Sequence, residues 1–295
     1  MDNQEVQKLL NQLQHEQQLV RSKGQTKLKT LLEQGESRES VLEALKGGVL
    51  DMLVSESQHS RLGGFLAATL ILPHTQEETE FCNQVEKACV QNLEHPESRV
   101  RRAVGDCMQV LARCVGGVLY ASIKDSIRDS IVRNFDRDDE AISSGGDDPL
   151  ENLLETSYRV TKPGHGEMRH GTEGWKSLET SYRSLLKIIQ GTGAAFRVFL
   201  NPDLWSLVFR GIEHPNRFVR EICYFTIGAM VEISQEDETV RDEIVSVLAK
   251  GLGDDWSQVR YAASVATRMF MLRAKEAEFV ADIFQIGRAS CRERV

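Results

Sequence analysis

The sequence predicts an all-α solenoid of about six antiparallel helix pairs, and three observations predict it. One frame of residues recurs at spacings near 40. The stretches between recurrences carry apolar stripes at helical spacing. No stretch alternates apolar and polar residues with period two for long enough to specify a strand. The frame is plainest in LEHPESRVR at 93–101 and IEHPNRFVR at 212–220, with a further copy in LGDDWSQVR at 252–260. In each, an apolar residue (Leu93, Ile212, Leu252) stands seven before a valine (Val100, Val219, Val259), and an arginine follows: Arg101, Arg220, Arg260.

From the N-terminus, HEQQLVRSKGQTKLKTLL places Val20 and Arg21 in the same frame, and SRESVLEALKGGVLDML follows as its partner helix. In HSRLGGFLAATLIL, Leu62 takes the valine slot. Gly63 and Gly64 there cost about 1 kcal/mol each inside a helix, which close approach of a neighbouring helix offsets. TEFCNQVEKACVQNL is the next partner helix, and RAVGDCMQVLARC runs on from Arg101. VLYASIKDSIRDSIVRNF carries Leu119, Ile123, Ile127 and Ile131 every fourth residue, one stripe of a helix.

Past residue 172, GWKSLETSYRSLLKII reads as helix, and LNPDLWSLVFRGI opens with Asn201 as cap and Pro202 in the first turn. EICYFTIGAMVEI, DETVRDEIVSVLAKGL and YAASVATRMFML complete the set. Val20 and Leu62 stand 42 apart, Leu62 and Val100 stand 38 apart, and Val219 and Val259 stand 40 apart, while the 119 from Val100 to Val219 is close to three periods. Each valine is expected in the core between units, because one helix pair cannot bury its own apolar face.

Between Phe135 and Trp175 the periodicity fails. The stretch 136–172 is acidic at its front and rich in glycine, and reads as a largely mobile insertion in the place of a repeat and more, with one short helix at 149–159. Ser143 and Ser144 are its candidate phosphorylation sites. LETSYR occurs at 154–159 and again at 178–183, by local duplication or by a fault of sequence assembly. The domain reading is therefore 1–135 and 173–285 as two blocks of repeats around 136–172. The closing IGRASCRERV is identified as the in-frame translation of a sequencing-library adapter, which sets Ile286 to Val295 apart and implies a natural chain that continues further. Its three arginines and one glutamate removed, the net charge of −8 becomes −10.

The repeat frame resembles that of HEAT and armadillo proteins over most of the chain outside 136–172. That resemblance implies a right-handed α-solenoid. It also implies that a helix beginning Asp-Pro-x-x-x-Val-Arg uses its aspartate and arginine to bond neighbours along the stack. Pro96 and Pro215 match the proline, and Arg101, Arg220 and Arg260 match the arginine. The aspartate slot, five before the valine, holds Asp254 once but His15, His95 and His214 elsewhere, which puts the Asp–Arg ladder in doubt for those units.

Composition sets the remaining bounds. Apolar residues are 41% and charged residues 27% of 295, a globular balance with ample length for a core. The opening MDNQEVQKLLNQ lacks the basic and apolar regions of a secretory signal, and the longest apolar run, FLAATLIL, is too short for a membrane span. A cytosolic or nuclear chain is expected. Cys82 and Cys89, like Cys107 and Cys114, lie seven apart on one helix face and read as reduced core residues rather than zinc ligands.

Chemistry is sparse. His165 and His170, with Glu167 and Glu173, lie in the insertion with nothing to fix them as metal ligands. No nucleophile elbow, phosphate-cradling glycine loop or HExxH is written here. The resulting expectation is a non-catalytic repeat scaffold or adaptor, with no cofactor, that binds other proteins. An acidic array favours basic peptide segments or helices as partners. The alternative is a helical-repeat protein or enzyme acting on nucleic acid, for which Arg99, Arg101, Arg102 and Arg113 form a local basic patch. The net negative charge argues against it.

Overall fold

A computed structural model describes residues 3–33, 38–135, 174–234 and 238–273. Among them are twelve α-helices and no strand: α1 Asn3–Leu13, α2 Gln18–Glu33, α3 Arg38–Val54, α4 Gln58–Ile71, α5 Thr79–Gln91, α6 Ser98–Val115, α7 Gly117–Phe135, α8 Trp175–Thr192, α9 Pro202–Ile212, α10 Arg217–Ile233, α11 Glu238–Leu252 and α12 Ser257–Arg273. Short 3-10 turns at Leu72–His74 and Gly193–Phe199 join α4 to α5 and α8 to α9. As the sequence indicated, Asn201 Oδ1 caps α9 by accepting the Leu204 N–H at 2.9 Å, with Pro202 at the first position.

Each odd-numbered helix packs against the even-numbered helix that follows it, giving six pairs. The even helices also pack on one another in order, α2 on α4, α4 on α6, α6 on α8, α8 on α10 and α10 on α12. The odd helices touch more loosely, α1 on α3, α3 on α5, α5 on α7 and α9 on α11. The buried apolar side chains form a single cluster running from Val6 to Phe270, so the core is continuous across residues 136–173.

Two features of this pairing depart from the sequence reading. The Val-Arg helix closes each pair rather than opening it, because the tight turn in front of it folds it onto the preceding helix. The insertion also does not take the place of a repeat. It lies inside the fourth pair, between α7 and α8, which pack together as a hairpin. The interval from the start of α6 at Ser98 to the start of α8 at Trp175 is nearly double that from α4 at Gln58 to α6, and the excess lies between Phe135 and Trp175. Ser143, Ser144, the first LETSYR and the segment 286–295 fall outside the described residues.

Deleting 138–172 leaves four residues between Phe135 and Trp175, the same number that joins α1 to α2 and α9 to α10. The deletion is expected to retain helical circular dichroism and a single cooperative thermal transition. A transition split in two would show that the segment carries part of the stack.

Candidate interaction surface

The repeated motif builds the joints of the stack. In five units the arginine reaches back six residues to the turn before its own helix. Arg21 Nη1 donates to the His15 and Glu16 carbonyls at 2.7 and 2.6 Å, and Arg101 Nη1 to those of His95 and Pro96 at 2.6 and 3.0 Å. Arg220 Nη1 does the same to His214 and Pro215 at 3.0 and 2.8 Å, and Arg260 Nη1 to Asp254 and Asp255 at 2.8 and 2.9 Å. Arg61 donates through Nε to the Ser55 carbonyl. These carbonyls lie in turns that make no helical bonds, and a guanidinium forks across two of them at once.

Arg61 corrects the register of the second unit. With it as the motif arginine, the valine slot belongs to Ser60 and not to Leu62, and the even helices α2, α4 and α6 start one even period apart, at Gln18, Gln58 and Ser98. Ser60 is buried, and its hydroxyl donates to Gln14 Oε1 at 2.8 Å, which is why a polar residue stands in a core position. Leu62 is buried two residues further along the helix. Val100, Val219 and Val259 are fully buried, whereas Val20, in the terminal unit, is half-buried.

The histidines of the aspartate slot act as aspartate does. His15 Nδ1 accepts the Gln17 N–H at 3.0 Å, His95 Nδ1 that of Glu97 at 3.1 Å, and His214 Nδ1 that of Asn216 at 3.1 Å. In the last unit Asp254 Oδ1 accepts the Trp256 N–H at 2.9 Å. One short acceptor thus closes the same turn in each. Burial and the nearby Arg61 guanidinium hold the His95 imidazole below its ordinary pKa, and accepting an N–H at Nδ1 also requires the neutral ring. Below about pH 6.5 the unfolded chain takes up a proton there that the fold resists, so stability falls as pH is lowered through that range. His95→Asp keeps the acceptor, and its melting temperature should decline less than that of the wild type between pH 7 and 5.5.

Among the described residues, the ladder between units includes one acidic rung and two neutral ones. Arg220 Nε and Nη2 meet Asp254 Oδ2 and Oδ1 of the next unit at 2.8 and 3.1 Å. The other two acceptors are neutral: Arg61 Nη1 donates to Asn92 Oδ1 at 3.1 Å, and Arg101 Nε to Thr180 Oγ1 at 2.9 Å. Asp254→Ala removes the Arg220 rung and the turn acceptor together. Urea unfolding is expected to show a loss of about 2–3 kcal/mol, the range for hydrogen bonds to charged groups, of which Asp254→Asn recovers part.

A second repeated joint was not read from the sequence. Tyr182 on α8 donates its hydroxyl to the Leu207 carbonyl on α9 at 2.7 Å, and Tyr224 on α10 donates to Val247 on α11 at 3.1 Å. Each phenol sits over a glycine one turn on, Gly211 and Gly251, where a Cβ would strike the ring. Burial raises both phenol pKa values. The signal was the recurrence of the Tyr and Gly positions near the repeat period. The second LETSYR is absorbed in such joints, with Ser181 Oγ 2.8 Å from Ser130 Oγ of α7.

What the joints leave least covered is a face of the even helices, plainest on α6. On α6 it is a stripe of Arg99, Arg102, Asp106 and Arg113, all exposed and recurring at helical spacing. It adjoins the corresponding stripe of α8, where Lys187 Nζ lies 3.0 Å from Asp106 Oδ1 and Gln190 Oε1 accepts from Gln109 Nε2 at 3.2 Å. On α10 and α12 the face turns aromatic, with Phe225 edge-on to the exposed Tyr261 at 6.3 Å. At the helix starts, Trp175 stacks on Phe218 at 5.3 Å, and the Arg217 guanidinium lies over Phe218 and Trp256 at 4.6 and 4.3 Å.

Among the described residues no three His, Cys, Asp or Glu side chains converge as metal ligands, and no helix is long and apolar enough to cross a membrane. The described cysteines are free thiols, buried apart from the half-buried Cys114. A hydrogen bond with Cys107, together with burial, pushes the Cys89 thiol well up.

Helix pairs stacked in order, with an arginine-locked turn in five of the six pairs, are a HEAT/armadillo-type helical-repeat fold. No protein-family model matches the chain, and no curated protein matches it. Among solved structures it is similar to an engineered protein (12% identity over 92% of this chain and 99% of that one, TM-score 0.49). It is also similar to a computationally designed armadillo repeat protein for modular peptide recognition (11% identity, 90% and 99% covered, TM-score 0.47). A chain from the structure of Kap95p with RanGDP is 12% identical, with 93% and 40% covered and a TM-score of 0.33.

Proposed function

We propose that the chain is a non-catalytic scaffold or adaptor of the cytosol or nucleus that binds other proteins on the outer faces of its even helices. One observation carries this reading. The sides of those helices that meet neighbours are committed to valine cores, arginine clamps and tyrosine joints, while residues exposed on α6 and mostly half-buried on α8 and α10 remain at the surface along the stack. Such an extended, periodic face suits a partner that touches several units in succession. The free, buried thiols fit a reducing compartment.

The test is affinity purification with mass spectrometry, comparing the wild-type chain with Arg113→Glu, which alters the outer face and leaves the joints alone. Partners retained by the first and lost by the second support the reading. The rival is nucleic-acid binding. A tight electrophoretic shift of duplex or single-stranded DNA, weakening steeply with salt, would decide for it.

A further inference from the structure

The net charge of −8 conceals a separation of charge between the two rows of helices. The six even helices hold 17 lysines and arginines against 5 aspartates and glutamates, a balance of +12. The six odd helices hold 10 against 12, a balance of −2. The remaining −18 lies outside the helices, in turns, in 136–174 and at the ends.

Five of the even-row charges are motif arginines turned in on their own turns. Without them the row still carries 12 basic residues against 5 acidic ones. They are densest where α6 meets α8, the most extensive helix contact in the stack. Arg99, Arg102 and Arg113 are exposed on α6, and Lys176, Arg183 and Lys187 are half-buried on α8. The acidic residues on these two helices are Asp106, which meets Lys187, and Glu179, which meets Arg183. The joined stripes are basic on balance and lead to the aromatic faces of α10 and α12.

We infer that the outer face of the even helices, centred on α6 and α8, binds an acidic, extended segment of a partner protein. This rests on the scaffold reading above and fixes the sign of its ligand, opposite to the basic one that the net charge favours. Neighbouring helix axes lie about 8–10 Å apart, and an extended chain rises about 3.3 Å per residue. About three partner residues therefore span each step, enough to bring a carboxylate to each helix. The cations of α6 and α8 stand on neighbouring helices at this step and lie within a negatively charged molecule. That arrangement favours a peptide, whose carboxylates sit on flexible side chains that can reach cations one helix apart, over a nucleic acid, whose phosphates are fixed in its backbone.

The experiment is fluorescence anisotropy on the full chain at low salt. Three labelled probes are compared: a ten-residue alternating Asp-Glu peptide, a ten-residue alternating Lys-Arg peptide and a ten-nucleotide oligothymidine. The expected result is binding of the acidic peptide in preference to the other two, weakened about tenfold or more by Arg102→Glu with Arg113→Glu. Circular dichroism and melting of that variant should match the wild type. Preference for the Lys-Arg peptide overturns the inference and leaves the scaffold reading standing. Preference for the oligonucleotide overturns it in favour of nucleic acid. Binding of the acidic peptide that survives charge reversal in a folded variant overturns the assignment to α6 and α8. No binding of any probe overturns the inference, while partners found by affinity purification would still uphold the scaffold.

Discussion

Val219→Asp is expected to destabilise the fold by about 4 kcal/mol or more, because a carboxylate at that site is buried without a partner. Val219 is 0% exposed and stands one residue before the clamp that fixes its turn. Its counterpart Val20 fills the same slot in the terminal unit, where it is half-buried. Val20→Asp should therefore cost much less. Urea denaturation of the two variants measures the difference. Equal losses would contradict the burial that separates them, and a wild-type midpoint for Val219→Asp would sink the assigned register.

Gly63→Ala is the second large effect, and its sign is the informative part. In an unobstructed helix, replacing glycine with alanine stabilises by about 1 kcal/mol. At Gly63 the added Cβ would fall 2.7 Å from the Leu13 carbonyl carbon and closer still to its oxygen. That neighbour is backbone at the end of α1 and cannot rotate away. A net loss of about 1–3 kcal/mol is expected, the range for overpacking a filled core. Gly47, with nothing within 4 Å of a built Cβ, supplies the control. Gly47→Ala should raise the melting temperature, and a rise at Gly63 as well would mean that α4 and α1 do not approach as closely as described.

The architecture was legible because its signals are local and repeated. Val100, Val219 and Val259 carry one residue type in one frame, and their arginines bond to the turn just before their own helix, so spacing alone located them. The second unit was misread because an apolar residue was sought in a slot that holds Ser60, and only the Gln14 contact from outside its helix makes that serine intelligible. The tyrosine joints escaped for a related reason. Tyr182 and Tyr224 each act through a carbonyl of the following helix, a pairing that no helical periodicity encodes.

The interaction surface was the least legible part. A sum over the chain averages away a separation between rows, and the rows exist only once the helices are paired. Arg99, Arg102 and Arg113 were visible as a basic cluster, but their continuation onto Arg183 and Lys187, far along the chain, depends on α6 lying against α8.

The spacing of the fourth pair along the chain has a mechanical corollary. Residues 136–174 separate α7 from α8, where only 14–17 separate α1 from α2. The broadest helix contact in the molecule, α6 on α8, spans that same joint. Adhesion is thus concentrated where consecutive helices stand furthest apart along the chain, and the two arms pulled apart should separate there only after their outer hairpins have begun to peel.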